Sequence, residues 1–142
     1  MIYTYLTETA MELAYEAYKD KYDFNGVPLV FTYYEIATNM NNEDTTVVAL
    51  IYGAIKNSGF TLDDLYELNF TKDQIEAVKI LNNYYNKSDS KYIEDIKNNK
   101  IARKVKIEEL EHASEPTRYP NMTELDRERI ARYRQIKNYL YN

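Results

Sequence analysis

The sequence contains no cysteine and no tryptophan, and its 142 residues include one histidine, three glycines and three prolines. Without cysteine the chain can form neither disulfides nor thiolate metal sites. The glycines, Gly26, Gly53 and Gly59, are too few and too scattered for a glycine-rich phosphate loop. Because His112 is the single histidine, a nucleophilic triad has too few candidate residues. The scarcity of glycine and proline favours long helices over a turn-rich β architecture.

Charge and hydropathy restrict the partners of the chain. Its 18 basic and 23 acidic residues give a net charge of -5, which argues against direct binding to a nucleic-acid backbone. No stretch approaches the roughly 20 apolar residues of a membrane span, and residues 1–14 lack the pattern of a signal peptide. We therefore expect a soluble, cytoplasmic protein without membrane contact. Its sixteen tyrosines suit either a core or an interface, and both uses stay open.

Apolar periodicity and capping patterns predict an all-α fold: one compact domain over residues 1–142 with seven or eight helices and no strand. Thr-x-x-Asp or Thr-x-x-Gln patterns at Thr61, Thr71 and Thr123 indicate helix starts. The segment 45–58 is apolar on nearly every side, which is typical of a central helix. The predicted helices cover residues 8–21, 32–39, 45–58, a short segment after 61, 71–84, 90–97, 100–112 and a final segment after 123.

Two groups of charged residues are candidates for chemistry on residue type alone. His112 follows Glu108, Glu109 and Glu111, which indicates either a metal ligand set or, more commonly for a lone histidine, a solvated helix end. Basic residues form either charged outer faces or phosphate sites. They are Lys97, Lys100, Arg103, Lys104 and Lys106, and further along the chain Arg127, Arg129, Arg132 and Arg134.

The order of segments resembles that of the HD-domain phosphohydrolases. The segments are 10–21, Gly26-Val27-Pro28, 49–57, 102–110 and 125–140, and the likeness extends over about residues 9–140. Within that superfamily the chain is most similar to the small alarmone hydrolases and to the hydrolase domain of stringent-response enzymes, which remove pyrophosphate from guanosine tetraphosphate. The resemblance implies a compact, HD-like helical fold.

The positions that carry the family's chemistry differ here. Judged by the resemblance, the former metal and catalytic positions are Thr32, Tyr52, Gly53, Lys56, Asn57 and Glu109, with Tyr18 and Ala113 replacing a further His and Asn. Tyrosine is a poor ligand at neutral pH, Gly53 offers no donor and Lys56 repels a cation. Glu109 is the conservative change. We therefore expect no family-type metal site, no cofactor and no catalytic residue, as in a pseudoenzyme.

Three functions remain open for such a scaffold. The first is a stoichiometric binding regulator or inhibitor of a protein partner, of the kind that a phage or mobile element encodes, and its contact tyrosines would include Tyr33, Tyr34, Tyr84, Tyr85, Tyr139 and Tyr141. The alternative is a metal-independent sensor or sponge for an alarmone-like nucleotide, bound by Tyr52, Lys56, Lys104, Lys106 and Arg118. The third is residual phosphohydrolase activity through Glu109 and His112.

Overall fold

The computed structural model describes residues 1–84 and 87–142 and confirms the all-α fold class. Tyr85, one of the tyrosines proposed for a partner surface, lies outside the described residues. The helices are α1 (Tyr5–Tyr18), α2 (Val30–Thr38), α3 (Glu43–Ile51), α4 (Ala54–Asn57), α5 (Leu62–Glu67), α6 (Lys72–Asn82), α7 (Asp89–Lys97), α8 (Lys100–Ala113) and α9 (Glu124–Tyr141). Eight of them have six residues or more, and β pairing within the described ranges is limited to an isolated bridge between Tyr22 and Pro28.

Helix starts follow the capping residues. The predicted capping boxes at Thr61, Thr71 and Thr123 are all present, each with the threonine side chain accepting from the backbone N–H three residues on. A further capping box at Thr4 starts α1 at Tyr5, which is earlier than the predicted residue 8. Its third helical residue is a threonine, so it lacks the Glu or Gln that marks the usual pattern.

The prediction of one continuous helix over residues 45–58 is wrong, because a turn at 52–53 separates α3 from α4. Two side chains from other helices donate hydrogen bonds to backbone carbonyls at this turn. The Tyr18 hydroxyl donates to the Leu50 carbonyl at 2.8 Å, and the Asn82 amide donates to the Tyr52 carbonyl at 2.8 Å. These tertiary hydrogen bonds replace helical ones, so the helix is interrupted without leaving those carbonyls unpaired.

The core is organised around α3, whose residues from Thr45 to Ile51 are all buried. It packs against α1, α2, α6 and α8, and the buried side chains form one continuous cluster. Burial of each large aliphatic side chain there stabilises the fold by about 1.5–3 kcal/mol. Helix α9 lies along α8 and buries Ile130 and Leu140. Among the described helices, none is both long and apolar enough to cross a membrane.

Candidate functional site

The structure brings together several of the positions singled out by the HD-like resemblance. A cavity of about 530 Å³ lies beside the turn at 52–53, between α2, α8 and the segment that follows α8. Thr32, Tyr52, Glu109 and Ala113 all line it, and so do His112 and Arg118. Residues more than 80 positions apart along the chain therefore meet at one place.

Tyr33 fills the space next to the turn. A β-carbon on Gly53 would lie 2.3 Å from the Tyr33 phenol oxygen and 2.4 Å from its Cζ. The Tyr33 ring stacks on Tyr18, with ring centres 4.1 Å apart, and meets Tyr52 edge-on at 5.2 Å. The Asn57 amide donates to the Tyr33 oxygen at 3.2 Å. The absence of a side chain at residue 53 is therefore what allows the aromatic cluster of Tyr18, Tyr33 and Tyr52 to form.

The three phenols of this aromatic cluster are held neutral. Burial raises the pKa of Tyr33 to about 12, and the nearby Glu109 carboxylate adds to the effect. Burial also raises the pKa values of Tyr18 and Tyr52 well above the usual range. A neutral phenol is a weak metal ligand and a weak base, so at pH 7 these groups contribute packing and hydrogen bonding.

Glu109 is engaged in an ion pair within its own helix. Its Oε2 lies 3.0 Å from Lys106 Nζ, and the two side chains are 33% and 15% exposed. Burial by itself lowers the pKa of Lys106, but the Glu109 carboxylate and the Tyr92 hydroxyl outweigh it, so the pKa lies above its ordinary value. Lys106 therefore remains charged and balances the Glu109 carboxylate at neutral pH.

His112 faces a different carboxylate from those beside it in sequence. Its Nδ1 lies 3.4 Å from Glu35, whereas its buried Nε2 has no hydrogen-bond partner among the described residues. Burial, followed by the charge of Arg118, lowers the pKa of His112. In the parts of the chain that the structure describes, no group of three or more His, Cys, Asp or Glu side chains is arranged to hold a metal ion.

The cationic residues predicted for a nucleotide lie in different surroundings. Arg118 lines the same cavity as Tyr52 and is 3.6 Å from Asp23. Lys104 pairs with Glu108 at 3.1 Å and lines another cavity. Lys106 is the partner of Glu109, and the Lys56 ammonium lies 5.8 Å from the centre of the Tyr84 ring. Tyr52 lines the same cavity as Arg118 but is only 8% exposed, so most of its ring packs inside the protein.

Tyr33 is the site residue that sequence reasoning assigned to a partner surface. The available signal was Gly53, because an isolated glycine in a helical pattern often marks a close approach by another part of the chain. The sequence alone did not say which residue approaches. In comparisons with known proteins, no protein-family model matches this chain, and no curated protein is significantly similar to it.

Proposed function

We propose that the protein is a non-catalytic, HD-like binding regulator that acts by stoichiometric contact with a protein partner, as an inhibitor does. The observation that carries the proposal is the Tyr33 ring packed against Gly53, among the positions aligned with the family's ligands. Glu109, the conservative replacement there, has its charge balanced by Lys106. These side chains contribute to packing and pairing, which favours a scaffold role over hydrolysis.

An exposed aromatic face supplies the contact surface in this proposal. We define it as Tyr22, Phe24, Val27, Phe31 and Tyr34, which are between 40% and 63% exposed. It comprises the turn before α2 and the outer side of α2. The nearby Tyr34 hydroxyl raises the pKa of Tyr3, another exposed tyrosine. Concentrations of exposed apolar and aromatic groups mark protein interaction sites.

The chemistry of the partner follows from the charges beside this aromatic face. Val27 and Phe31 line a cavity of about 480 Å³ whose charged lining residues are mostly acidic. The carboxylates there are Asp23, Glu35, Glu108, Glu111 and Glu115, and the guanidinium is that of Arg118. Complementary charge speeds association and selects partners. The favoured partner therefore presents lysine or arginine side chains next to an apolar anchor.

The decisive experiment compares two serine variants of exposed aromatics. Phe31→Ser alters the aromatic face, whereas Tyr66→Ser on α5 is the matched control, with 57% and 52% exposure for the native residues. The tagged protein is purified from the cells that express it together with the proteins bound to it. The candidate partner is then purified and titrated into each variant by calorimetry. We expect stoichiometric binding to the wild type and to Tyr66→Ser, and at least about tenfold weaker binding to Phe31→Ser. Equal affinity for all three would contradict the proposal, as would nucleotide hydrolysis that Glu109→Gln abolishes.

The nucleotide sensor remains the alternative, with less support because its cationic side chains are dispersed. Thermal-shift measurements with guanosine polyphosphates distinguish the two functions. Stabilisation of the wild type that is lost in Lys56→Glu would favour a sensor. An unchanged melting temperature for both proteins would leave the protein-binding function as the better explanation.

A further inference from the structure

A second, basic cavity lies apart from the positions that the HD-like resemblance singled out. Its volume is about 480 Å³, and it is formed by the start of α3, the first turns of α8 and the end of α9. Lys100, Arg103 and Lys104 of α8 line it. Within the described residues, the acidic group of the lining is Asp44. The lining thus carries an excess of positive charge in a chain whose net charge is -5.

Two of these three cations are without an ion-pair partner among the described residues. In the described part of the chain, the partly buried Arg103 and the exposed Lys100 make no side-chain hydrogen bond or ion pair. Lys104 shares its charge with Glu108, and the Asp44 carboxylate accepts a hydrogen bond from Gln74 at 2.9 Å. A guanidinium without an ion-pair partner keeps its N–H donors available for an anion.

The remaining lining suits an anion that carries an organic group. Asn42, which also lines the cavity, uses its side-chain oxygen to accept from Thr45, and its NH₂ group donates no hydrogen bond within the described residues. The first turn of α8 contains no acidic residue to offset the cations. Ile101, Ile107 and Leu140 provide apolar surface, and Tyr141, which is 64% exposed, provides an aromatic ring.

We propose that this basic cavity binds an organic phosphate of nucleotide size. Arg103 and Lys100 bind the phosphoryl oxygens, because a guanidinium matches phosphate geometry and both cations are unpaired. The organic part of the ligand lies toward Leu140 and Tyr141. This site shares no residue with the aromatic face or with the former metal and catalytic positions. The proposal of phosphate binding and the proposal of a protein partner can therefore be refuted separately.

Isothermal titration calorimetry with two probes tests the proposal. ATP presents phosphates and an aromatic base, whereas tripolyphosphate presents phosphates alone. Arg103→Gln removes the unpaired guanidinium of the cavity, and Arg134→Gln removes an exposed and equally unpaired arginine from α9 as the matched control. We expect ATP to bind the wild type and Arg134→Gln equally, and to bind Arg103→Gln at least about tenfold more weakly.

The role of the organic group is tested with Tyr141→Ser. We expect ATP to bind more tightly than tripolyphosphate to the wild type, and this preference to shrink in the variant. A tripolyphosphate affinity equal to that of ATP in both proteins would overturn the assignment to an organic phosphate. If neither ATP nor tripolyphosphate binds at about 5 mM, the proposed site is overturned altogether.

Folding of the variants is checked by thermal melting. If Arg103→Gln does not fold, Lys100→Gln replaces it, because Lys100 is exposed and its substitution disturbs no packed group. Equal losses of affinity in Lys100→Gln and Arg134→Gln would show general charge attraction and overturn the proposed cavity. A loss confined to Lys100→Gln supports it.

Discussion

Replacing Gly53 by alanine tests whether Tyr33 occupies the space at the turn. The backbone of Gly53 has φ -79° and ψ -10°, a conformation that alanine adopts readily. At a compatible position, such a change stabilises a protein by about 0.4–1 kcal/mol through the unfolded state. A loss of stability in Gly53→Ala must therefore come from the contact with Tyr33.

The size of that loss can be worked from the contacts of Tyr33. A methyl group at 2.3 and 2.4 Å from its oxygen and Cζ displaces the ring from both Tyr18 and Tyr52. Each aromatic pair contributes about 0.5–1.5 kcal/mol beyond area burial. The hydrogen bond from Asn57 contributes about 0.5–1.5 kcal/mol. When the stabilisation that alanine provides through the unfolded state is subtracted from these losses, we expect Gly53→Ala to lower the free energy of unfolding by about 1–3 kcal/mol.

Urea unfolding of a double-mutant cycle is the assay. Tyr33→Ala removes the obstructing ring, so in that background Gly53→Ala should be neutral or stabilising. Tyr33→Phe retains Cζ, so in that background the alanine should still destabilise. A Gly53→Ala protein at least as stable as the wild type would refute the reasoning, and so would an equal effect in the Tyr33→Ala background.

Three further outcomes follow from the buried groups. Glu109→Gln should lower the free energy of unfolding by about 1–3 kcal/mol, because Lys106 loses its carboxylate partner. Stability from Tyr33 should be fully present below pH 10, and its loss should amount to about 2–3 kcal/mol as the pH rises to 12, because the pKa of Tyr33 is near 10 unfolded and about 12 folded. Tyr18 and Tyr52, whose pKa values are also raised by burial, should add to the decline. Tyr18→Phe should cost about 1–2 kcal/mol in urea unfolding, because the Leu50 carbonyl loses its donor.

Each of these outcomes has a control. Adding Lys106→Met to Glu109→Gln removes the unpaired ammonium and should recover stability; a further equal loss would contradict the ion-pair argument. Tyr33→Phe should make the decline in stability above pH 10 shallower, with the remainder due to Tyr18 and Tyr52, and an unchanged pH profile would contradict the role of Tyr33. Tyr15→Phe is the exposed comparison for Tyr18→Phe, and equal costs would contradict the buried hydrogen bond.

Local signals predicted much of the fold, because capping depends on residues within one turn of each other. Thr61, Thr71 and Thr123 therefore marked their helices correctly. The turn between α3 and α4 was not predictable in this way. It depends on donors from Tyr18 and Asn82, which come from other helices and leave no periodic signal near the turn.

The site was predictable in part for similar reasons. Segment order alone selected Thr32, Tyr52 and Glu109, which line one cavity. It did not reveal that Tyr33 packs on the turn, since that contact depends on the orientation of α2. The separation of Lys104 from Lys106 could have been predicted from the sequence, because residues two apart on a helix do not face each other.

The stacked rings of Tyr18 and Tyr33 also make the candidate site optically visible. With no tryptophan in the chain, tyrosines dominate its near-ultraviolet absorption and emission. Rings 4.1 Å apart in a fixed orientation couple their transitions, and near-ultraviolet circular dichroism is lost when fixed packing is lost. The chain therefore contains an internal spectroscopic reporter of its aromatic packing, which needs no attached label.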